Sequence, residues 1–500
     1  MENLILLILL LFSWFGFGNP IYHFPPFVLF LPSVFIWIGL KDNPPLYVFK
    51  RSWLFGTFCY TLCFYWVFIP VNYYSSLPWF LAMWCPVLLG LYFGLYSGFF
   101  SLFLNLFKDL SWFLLGIFSG SFWALLEFLR SKLLTGFPWL TLSEGFAKWP
   151  SFVQLSSFTG SFILSGLFVI SITWMILYKR SFKAPFFGLF LIFLIIFGGK
   201  WLFDTKKDKG PLKYKVTVVQ GNIPQSLKWD VKFVDSTIEI YEKLTQKAIK
   251  SFKPDIVVWP ETALPFYLQE NSKFSKRVKD FVKKYKFYLI TGAPAYKIEN
   301  GRFLLYNRVY LIGPDGEILD YYDKEHLVPF GEYVPLKKIL FFLDKLVAGV
   351  GDFVPGKYNH PFKIEKLRIG LLICYEVIFP DIVQDRIEEG SNLLVNVSND
   401  AWFGNSSGPY QHLNQVILRA VEQGRYIIRA TNTGISGFIN PKGVLVKRLC
   451  LFKRGVINLE IYPIEKRTFF SKYYKLIYSF LFLINLLFFL FRVKKLVFKK

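Results

Sequence analysis

The chain has 500 residues, of which 54% are hydrophobic and 20% aromatic, and its formal net charge at pH 7 is +24. This composition excludes an ordinary soluble protein, although the hydrophobic excess is uneven. Residues 1–203 consist of nearly continuous apolar stretches, whereas residues 204–470 have the composition of a soluble domain with enough chain for one large core. A basic chain can bind nucleic acid, but we find no zinc-finger spacing and no helix-turn-helix pattern. We therefore expect the positive charge to meet lipid headgroups and not nucleic acid.

Seven apolar spans precede the soluble region. They cover about residues 4–17, 26–40, 52–70, 79–104, 110–129, 157–178 and 184–203, and an eighth covers about 474–491. The first span is shorter than the ~20 residues that a membrane crossing needs. No A-x-A cleavage site follows it, so we expect a retained helix and not a signal peptide. Pro25, Pro26 and Pro32 predict that the second span is a short or broken helix.

Charged residues in the loops predict the orientation of these spans. Lysine and arginine follow spans two, four and six and fill the C-terminal tail, whereas residues 18–25 and 71–78 contain neither. By the positive-inside rule the charged loops are cytoplasmic, and seven crossings place residues 204–470 on the outer side. We thus expect a membrane bundle at 1–203, an extracytoplasmic domain at 204–470, and a last helix with a basic cytoplasmic tail at 471–500.

The loop Gly136-Phe137-Pro138-Trp139 falls on the same outer side. Its aromatic residues favour a belt at the membrane interface, and a wall that guides lipid towards the soluble domain is the alternative. In the soluble region, apolar runs alternate with helical stretches at about 231–252, 271–285 and 411–424, which predicts an α/β domain with buried strands.

Three reactive side chains follow apolar runs in this region. Glu261 comes after DIVVW and Pro260, Cys374 comes after IGLLI, and Lys324 follows the second arm of a predicted hairpin. Alone, the cysteine is typical of a buried hydrophobic position and the lysine of a surface position. Together they supply a base, a nucleophile and a cation for an oxyanion, which favours thiol-based acyl transfer. A membrane-tethered amidase and a transporter or scaffold remain as alternatives.

The sequence resembles the nitrilase superfamily, because Glu261, Lys324 and Cys374 match its triad in order and Lys-x-His-Leu stands at 324–327. It is similar over nearly its whole length to the apolipoprotein N-acyltransferase family, in which such a domain lies between the seventh and eighth membrane helices. The specific stretches are VQGNIPQ (219–225), WPETA (259–263), HLVPFGEYVP (326–335), CYE (374–376) and NVSNDAWF (396–403).

This resemblance implies a four-layer αββα sandwich on the outer face of a bacterial inner membrane, with no cofactor and no metal. The implied reaction moves an sn-1 acyl chain from a phospholipid, usually phosphatidylethanolamine, to the amine of a diacylglyceryl-cysteine in an apolipoprotein. Glu261, Lys324 and Cys374 are then catalytic.

The resemblance also implies supporting residues. Glu332 is expected beside the triad, and Tyr375 and Glu376 flank the nucleophile. Trp229 is expected on a mobile arm over the site, or else as a loop anchor. Independently of the resemblance, the apolar character of segment 341–351 predicts that it dips into lipid as a lid or an arm.

Overall fold

The apolar spans form helices in the computed structural model, which describes residues 1–75, 77–333, 353–357 and 360–497. The N-terminal helices are α1 (Glu2–Trp14), α2 (Phe30–Gly39), α3 (Pro45–Cys63), α4 (Phe68–Tyr74), α5 (Trp79–Ala82), α6 (Trp84–Leu106), α7 (Trp112–Arg130), α8 (Leu142–Gly145), α9 (Ser156–Thr159), α10 (Ser161–Ile176) and α11 (Lys183–Thr205). The segment expected to act as a lid, 341–351, and the end of the basic tail, 498–500, lie outside the described residues.

Within the described part, five helices are long and apolar enough to cross a membrane singly. They are Trp79–Leu106, Trp112–Arg130, Ser161–Lys179, Lys183–Thr205 and Phe469–Lys495. The predicted span 52–70 is different. It consists of two helical segments, Pro45–Cys63 and Tyr65–Tyr74, which meet at a bend of 57° and are long and apolar enough to cross a membrane only when they are taken as one span. A continuous α-helix would need a hydrogen bond from the N–H of residue 70 to the Trp66 carbonyl. Pro70 has no N–H and cannot make this bond. The first two apolar spans form shorter helices, Glu2–Trp14 and Pro25–Gly39.

Charged side chains join the helix ends that lie away from the α/β domain. Arg51 contacts Glu2 at 3.2 Å, and Arg492 contacts Asp109, just before α7, at 2.8 Å. At the opposite end of α7, Lys132 contacts Asp381 of the α/β domain at 2.5 Å. The bundle therefore has one end that carries ion pairs between its own helices and one end that meets the α/β domain.

The strands of the α/β domain form two six-stranded mixed sheets. They are β1 (Tyr214–Gln220), β2 (Ile256–Val258), β3 (Tyr288–Glu299), β4 (Arg302–Ile312), β5 (Ile318–Asp323), β6 (Phe362–Ile364), β7 (Leu367–Ile373), β8 (Leu393–Ser398), β9 (Ile427–Thr431), β10 (Ser436–Ile439), β11 (Leu445–Leu449) and β12 (Gly455–Ile461). The first sheet has the order β12-β1-β2-β3-β4-β5 and the second β11-β10-β9-β8-β7-β6. Only β1-β2-β3 and β7-β8-β9 are parallel among these described strands.

Helices cover the outer faces of both sheets. They are α12 (Val234–Phe252), α13 (Lys273–Tyr285), α14 (Pro380–Glu388) and α15 (Gly408–Gln423), and the chain ends in α16 (Phe469–Val497). Val218 and Ile290 of the first sheet share a core with Leu371 and Val395 of the second. α12 and α13 pack on the free face of the first sheet, and α14 and α15 on that of the second. The predicted fold class, a helical membrane bundle with an αββα sandwich, is confirmed.

One apolar core continues from the second sheet into the membrane bundle. Leu394 of β8 and Val416 of α15 belong to the same buried cluster as Phe93 of α6 and Phe118 of α7. Burial of this kind contributes about 25 cal/mol per Å² of apolar surface. The α15 side of the sandwich is therefore packed on the bundle and not tethered to it by a linker alone.

A buried ion pair fixes β5 against β4. Arg308 donates to both carboxylate oxygens of Asp323, at 2.6 and 2.8 Å, and both side chains are buried. We expect Arg308→Met to lower the free energy of unfolding by about 3 kcal/mol, because it leaves the Asp323 charge buried without its partner. Thermal unfolding of the detergent-solubilised protein measures this. The exposed pair Lys243–Glu239 provides the control, and Lys243→Met should leave the midpoint unchanged.

Candidate active site

Each of the three predicted catalytic residues stands just beyond a strand. Lys324 follows β5 directly and Cys374 follows β7 directly, while Glu261 comes three residues after β2. Because the two sheets pack face to face, the ends of β2 and β5 in the first meet the end of β7 in the second. The strand-end placement that the sequence predicts is thus present, and it brings carboxylate, ammonium and thiol to one place.

A hydrogen-bond network joins Glu261 to Lys324. The Asn307 amide donates to Glu261 Oε1 at 2.7 Å and to Glu332 Oε1 at 3.0 Å. The other Glu332 oxygen lies 2.8 Å from Lys324 Nζ and also accepts from the Val328 N–H. Glu332 therefore lies beside the lysine, as the resemblance implies. Asn307 is a site residue that the sequence reasoning missed, because it lies mid-strand in β4 with no motif around it.

Burial and charge set the protonation of the three groups. Burial raises the pKa of Glu261 despite the opposing charge of Lys324. Burial lowers the pKa of Lys324, but Glu332 and Glu261 outweigh it and the net pKa lies above its usual range. Burial, reinforced by Glu261, raises the pKa of the Cys374 thiol to about 12. The resting site thus holds an ammonium and a neutral thiol.

The Glu376 carboxylate ties the residues around Lys324 to the nucleophile loop, the segment Cys374–Ile378 that begins at the predicted nucleophile. One oxygen accepts from the Tyr322 hydroxyl and the Glu325 N–H, both at 2.7 Å, and the other accepts from the Ile373 N–H at 2.6 Å. These donors lie on both sides of Lys324 and just before Cys374. Because Glu376 is fully buried, the carboxylate holds these segments at a fixed separation.

Tyr375 connects the nucleophile loop to the membrane bundle. Its hydroxyl donates to the Gly136 carbonyl at 3.0 Å, and its ring lies 6.0 Å from that of Phe137. Phe137 in turn contacts Phe64 and Phe93, with ring centroids 5.5 and 5.6 Å away. The favoured expectation of an aromatic belt at the membrane interface at 136–139 is wrong, because Trp139 is buried and contacts Gln411 and His412 of the α/β domain.

Trp229 lies at the surface, with 38% of its area exposed, but the preceding residue enters the site. Lys228 is 4% exposed and its Nζ donates to the Glu261 carbonyl at 3.3 Å. Burial lowers the pKa of Lys228 to about 8. The sequence reasoning chose the tryptophan and missed the lysine, since a lysine in a loop is usually exposed. Among the described residues, no group of three or more His, Cys, Asp or Glu side chains could hold a metal ion.

Two family models match the chain. The apolipoprotein N-acyltransferase N-terminal domain matches residues 8–173, and the carbon-nitrogen hydrolase model matches residues 215–463. The apolipoprotein N-acyltransferase of Geobacter metallireducens is 36% identical over 448 residues, which cover 87% of this chain and 84% of the relative. That of Azotobacter vinelandii is 31% identical and covers 88% and 85%.

The chain belongs to the apolipoprotein N-acyltransferase family. Membership makes it an acyltransferase of lipoprotein maturation and, with its apolar helices, a multi-pass bacterial membrane protein. Among solved structures, Nit3 of Saccharomyces cerevisiae, a member of the nitrilase superfamily, matches 52% of this chain and 93% of its own at 19% identity and a TM-score of 0.40. A match this distant carries no weight for function.

The high pKa of Cys374 predicts how the free enzyme reacts with a small neutral alkylating reagent. The thiolate is the reactive form, so alkylation by iodoacetamide should rise about tenfold per pH unit between about pH 7 and pH 9 without a plateau. Lys324→Met should slow alkylation at every pH, because the ammonium lowers the thiol pKa. Peptide mass spectrometry in a Cys450→Ser background measures the Cys374 adduct. A plateau below pH 8 in the wild-type protein would contradict the neutral resting thiol.

Proposed function

We propose that the enzyme transfers an sn-1 acyl chain from a phospholipid, with phosphatidylethanolamine as the expected donor, to the N-terminal amine of a diacylglyceryl-cysteine in an apolipoprotein. The acyl chain passes through a thioester on Cys374, and the reaction is the last step of lipoprotein maturation. Each substrate meets the same acyl-enzyme in turn, so the kinetics are ping-pong.

The observation that carries this proposal is the continuity between Tyr375 and the membrane bundle. Phe64 of the bent segment and Phe93 of α6 contact Phe137, and Phe137 contacts the residue beside the nucleophile. Apolar contact of this kind between the site and the membrane bundle suits a donor that stays in lipid. A small-amide hydrolase of the same superfamily acts on a soluble substrate and has no need of such contact with membrane helices.

In the first half-reaction, Glu261 takes the proton of the Cys374 thiol and the sulfur attacks the ester carbonyl. The Glu261 carboxyl is suited to this because burial brings its pKa closer to neutral pH. Lys324 and the Tyr375 N–H stabilise the oxyanion, each contributing about 3 kcal/mol to the lowering of the barrier. Collapse of the intermediate breaks the ester C–O bond, and Glu261 returns the proton to the departing lysophospholipid.

In the second half-reaction, the lipoprotein amine attacks the thioester. Glu261 accepts a proton from the amine, the C–S bond breaks, and the thiol recovers its proton from Glu261. Lys324 stabilises the second oxyanion as it does the first, since its raised pKa keeps it charged throughout. The low water content of a buried site protects the thioester from hydrolysis between the two steps.

The supporting residues have separate roles in this proposal. Glu332 holds the Lys324 ammonium, and Glu376 holds the loops that carry Lys324 and Cys374. Tyr375 supplies a backbone donor and the contact with the bundle. Trp229 covers the site from a surface arm, and the buried Lys228 behind it adds positive charge near Glu261.

We also propose an orientation, with residues 1–203 as the bundle of about seven helices, 204–470 as the catalytic domain on the periplasmic face, and 471–500 as the last helix and a cytoplasmic tail. It is supported by the helix ends away from the α/β domain, which carry Arg51, Lys108 and Arg492. Positively charged helix ends face the cytoplasm.

The acyl-enzyme is the decisive intermediate. When the full-length protein is incubated with phosphatidylethanolamine vesicles and no acceptor, we expect a fatty-acyl mass on the peptide that contains Cys374. Donor lipid with an isotope label only in the sn-1 chain should transfer that label, and a diacylglyceryl-cysteine peptide should then remove it. Cys374→Ala should abolish both the adduct and transfer.

One control separates this proposal from the amidase alternative. Incubation with small amides and no lipid should yield no turnover if the donor is a phospholipid. Full transfer activity in Cys374→Ala, or the absence of any adduct in a preparation shown to be active, would refute the thioester route.

The orientation can be tested with a native residue. Cys450 is exposed on the α/β domain, and Asp42 is exposed on the opposite end of the bundle. In a Cys85→Ser background, we expect a membrane-impermeant maleimide to label Cys450 in spheroplasts. A cysteine introduced by Asp42→Cys should be labelled only after the membrane is permeabilised. The reverse pattern would place the catalytic domain in the cytoplasm.

A further inference from the structure

The backbone of Cys374 adopts a conformation that its surroundings must enforce. Its φ is +52°, in the left-handed region, which costs a residue other than glycine about 1–3 kcal/mol. Its carbonyl is held from outside the nucleophile loop, since His412 Nε2 lies 3.2 Å away and Asn396 Nδ2 lies 3.4 Å away. The shorter of these two contacts comes from the imidazole of α15.

The imidazole of His412 is itself fixed by buried charges. Its Nδ1 lies 3.1 Å from Arg429 Nη2 and 3.2 Å from Asp400 Oδ1. Arg429 Nη2 also donates to Asp400 Oδ2 at 2.7 Å, and the Ser398 hydroxyl donates to Asp400 Oδ1 at 2.7 Å. The histidine, aspartate and arginine are each no more than 1% exposed. Such a network leaves the ring little freedom to turn.

The surroundings also select the protonation of this ring. Burial lowers the pKa of His412, and the charge of Arg429 lowers it further. Burial raises the pKa of Asp400, but Arg429 and His412 outweigh it, so the net pKa lies below its usual range. A neutral imidazole with its proton on Nε2 satisfies two of the three contacts, because Nδ1 then accepts from Arg429 and Nε2–H donates to the Cys374 carbonyl. Asp400 Oδ1, 3.2 Å from Nδ1, receives no proton from this ring and is satisfied by the Ser398 hydroxyl.

Residues of the membrane bundle contact the same turn of α15. The Trp139 ring lies 5.5 Å from that of His412, and its Nε1 donates to Gln411 Oε1 at 2.8 Å. Trp66, in the bend after α3, donates to the same oxygen at 3.0 Å. The first turn of α15 therefore has the membrane bundle on one side and the nucleophile carbonyl on the other.

We propose that His412 is a positioning residue for the nucleophile, and that its Nε2–H fixes the Cys374 carbonyl so that the thiol points at Glu261 and Lys324. This rests on the proposed function, in which Cys374 is the nucleophile. Asp400 and Arg429 hold the imidazole, and the contacts of Trp139 keep α15 in register with the bundle. His412 touches neither substrate nor the sulfur in this role, and it acts through the backbone of Cys374.

The test compares variants that keep or remove the donor. His412→Phe keeps a ring but has no N–H, and it should slow acylation of Cys374 by phosphatidylethanolamine on the order of a hundredfold with KM unchanged, because misplacement of the nucleophile affects kcat. His412→Gln places an amide N–H where Nε2 lies and should recover most of the loss. Asn414→Ala, at a buried position two residues along α15, should retain the wild-type rate and serves as the matched control.

A second pair of variants covers the case in which His412→Phe does not fold. Glutamine and asparagine differ only in reach, and His412→Asn places its amide near Nδ1, beside Asp400, and not near the carbonyl. We expect His412→Gln to be acylated at least tenfold faster than His412→Asn at similar thermal midpoints. Equal acylation rates in these two variants, or a wild-type rate in a folded His412→Phe protein, would overturn the inference.

The outcome for His412 is separable from that for the proposed function. If Cys374→Ala still transfers acyl chains, the thioester route of the proposed function fails. If the Cys374 acyl adduct forms in the wild-type protein and in His412→Phe at the same rate, only the positioning role fails.

Discussion

The Lys324 ammonium is 1% exposed, and a charge buried to that extent persists only beside opposite charge and hydrogen-bond acceptors. Glu332 lies 2.8 Å from it, Glu261 raises its pKa, and Asn307 links the two carboxylates. These four residues come from β4, from the ends of β2 and β5, and from the loop after β5. Loss of any one would leave a buried charge or a buried amide unsatisfied, so the site forms as a unit once the first sheet is complete.

The pairing of Lys324 with Glu332 and Glu261 also gives Lys324 and Cys374 different charge states in the resting site. A cation surrounded by carboxylates stays charged, whereas the thiol beside them is held neutral with a pKa of about 12. The resting enzyme therefore offers little thiolate to stray electrophiles. Negative charge develops on the substrate oxygen only when an ester is bound, and Lys324 is already in place to meet it. Preorganisation of this kind needs no rearrangement at the moment of reaction.

Much of this arrangement could be predicted from the sequence, because its signals are local. Glu261 and Cys374 each follow an apolar run, and a buried strand that ends at a polar residue is visible without a structure. The same runs predict an α/β domain with buried strands, whereas the αββα sandwich was implied by the resemblance to a known family. β6, β10, β11 and β12 were not predicted. β6 and β10 are only three and four residues long, and the side chains of β11 and most of β12 are not buried, so none of them shows a clear apolar run.

The residues that the sequence reasoning missed act over long separations. Asn307 reaches Glu261 across 46 positions and His412 reaches Cys374 across 38, and no periodicity reports such contacts. The loop at 136–139 was predicted as a belt at the membrane interface because aromatic residues between membrane helices usually meet headgroups. Its burial depends on Gln411, which lies 272 positions after Trp139. The burial of this loop is therefore determined by contacts between residues distant in the sequence, and local composition does not report them.

The packing of α15 on the bundle bears on why this chain has many membrane helices when one anchor could hold a domain at a surface. Bringing a chain of about sixteen carbons out of lipid into water costs on the order of 10 kcal/mol, at about 0.8 kcal/mol for each CH₂. A tethered soluble domain would have to offset that cost before any chemistry began.

In this protein, Phe64, Phe93 and Phe137 extend the apolar interior of the bundle to the residue beside Cys374. Trp66 and Trp139 hold α15 against the bundle through their hydrogen bonds to Gln411. In the proposed reaction the acyl chain therefore meets the thiol beside this apolar region, and fewer of its carbons have to enter water. The bundle is then a part of the active site, and its separation from the α/β domain should abolish transfer even where the triad itself remains intact.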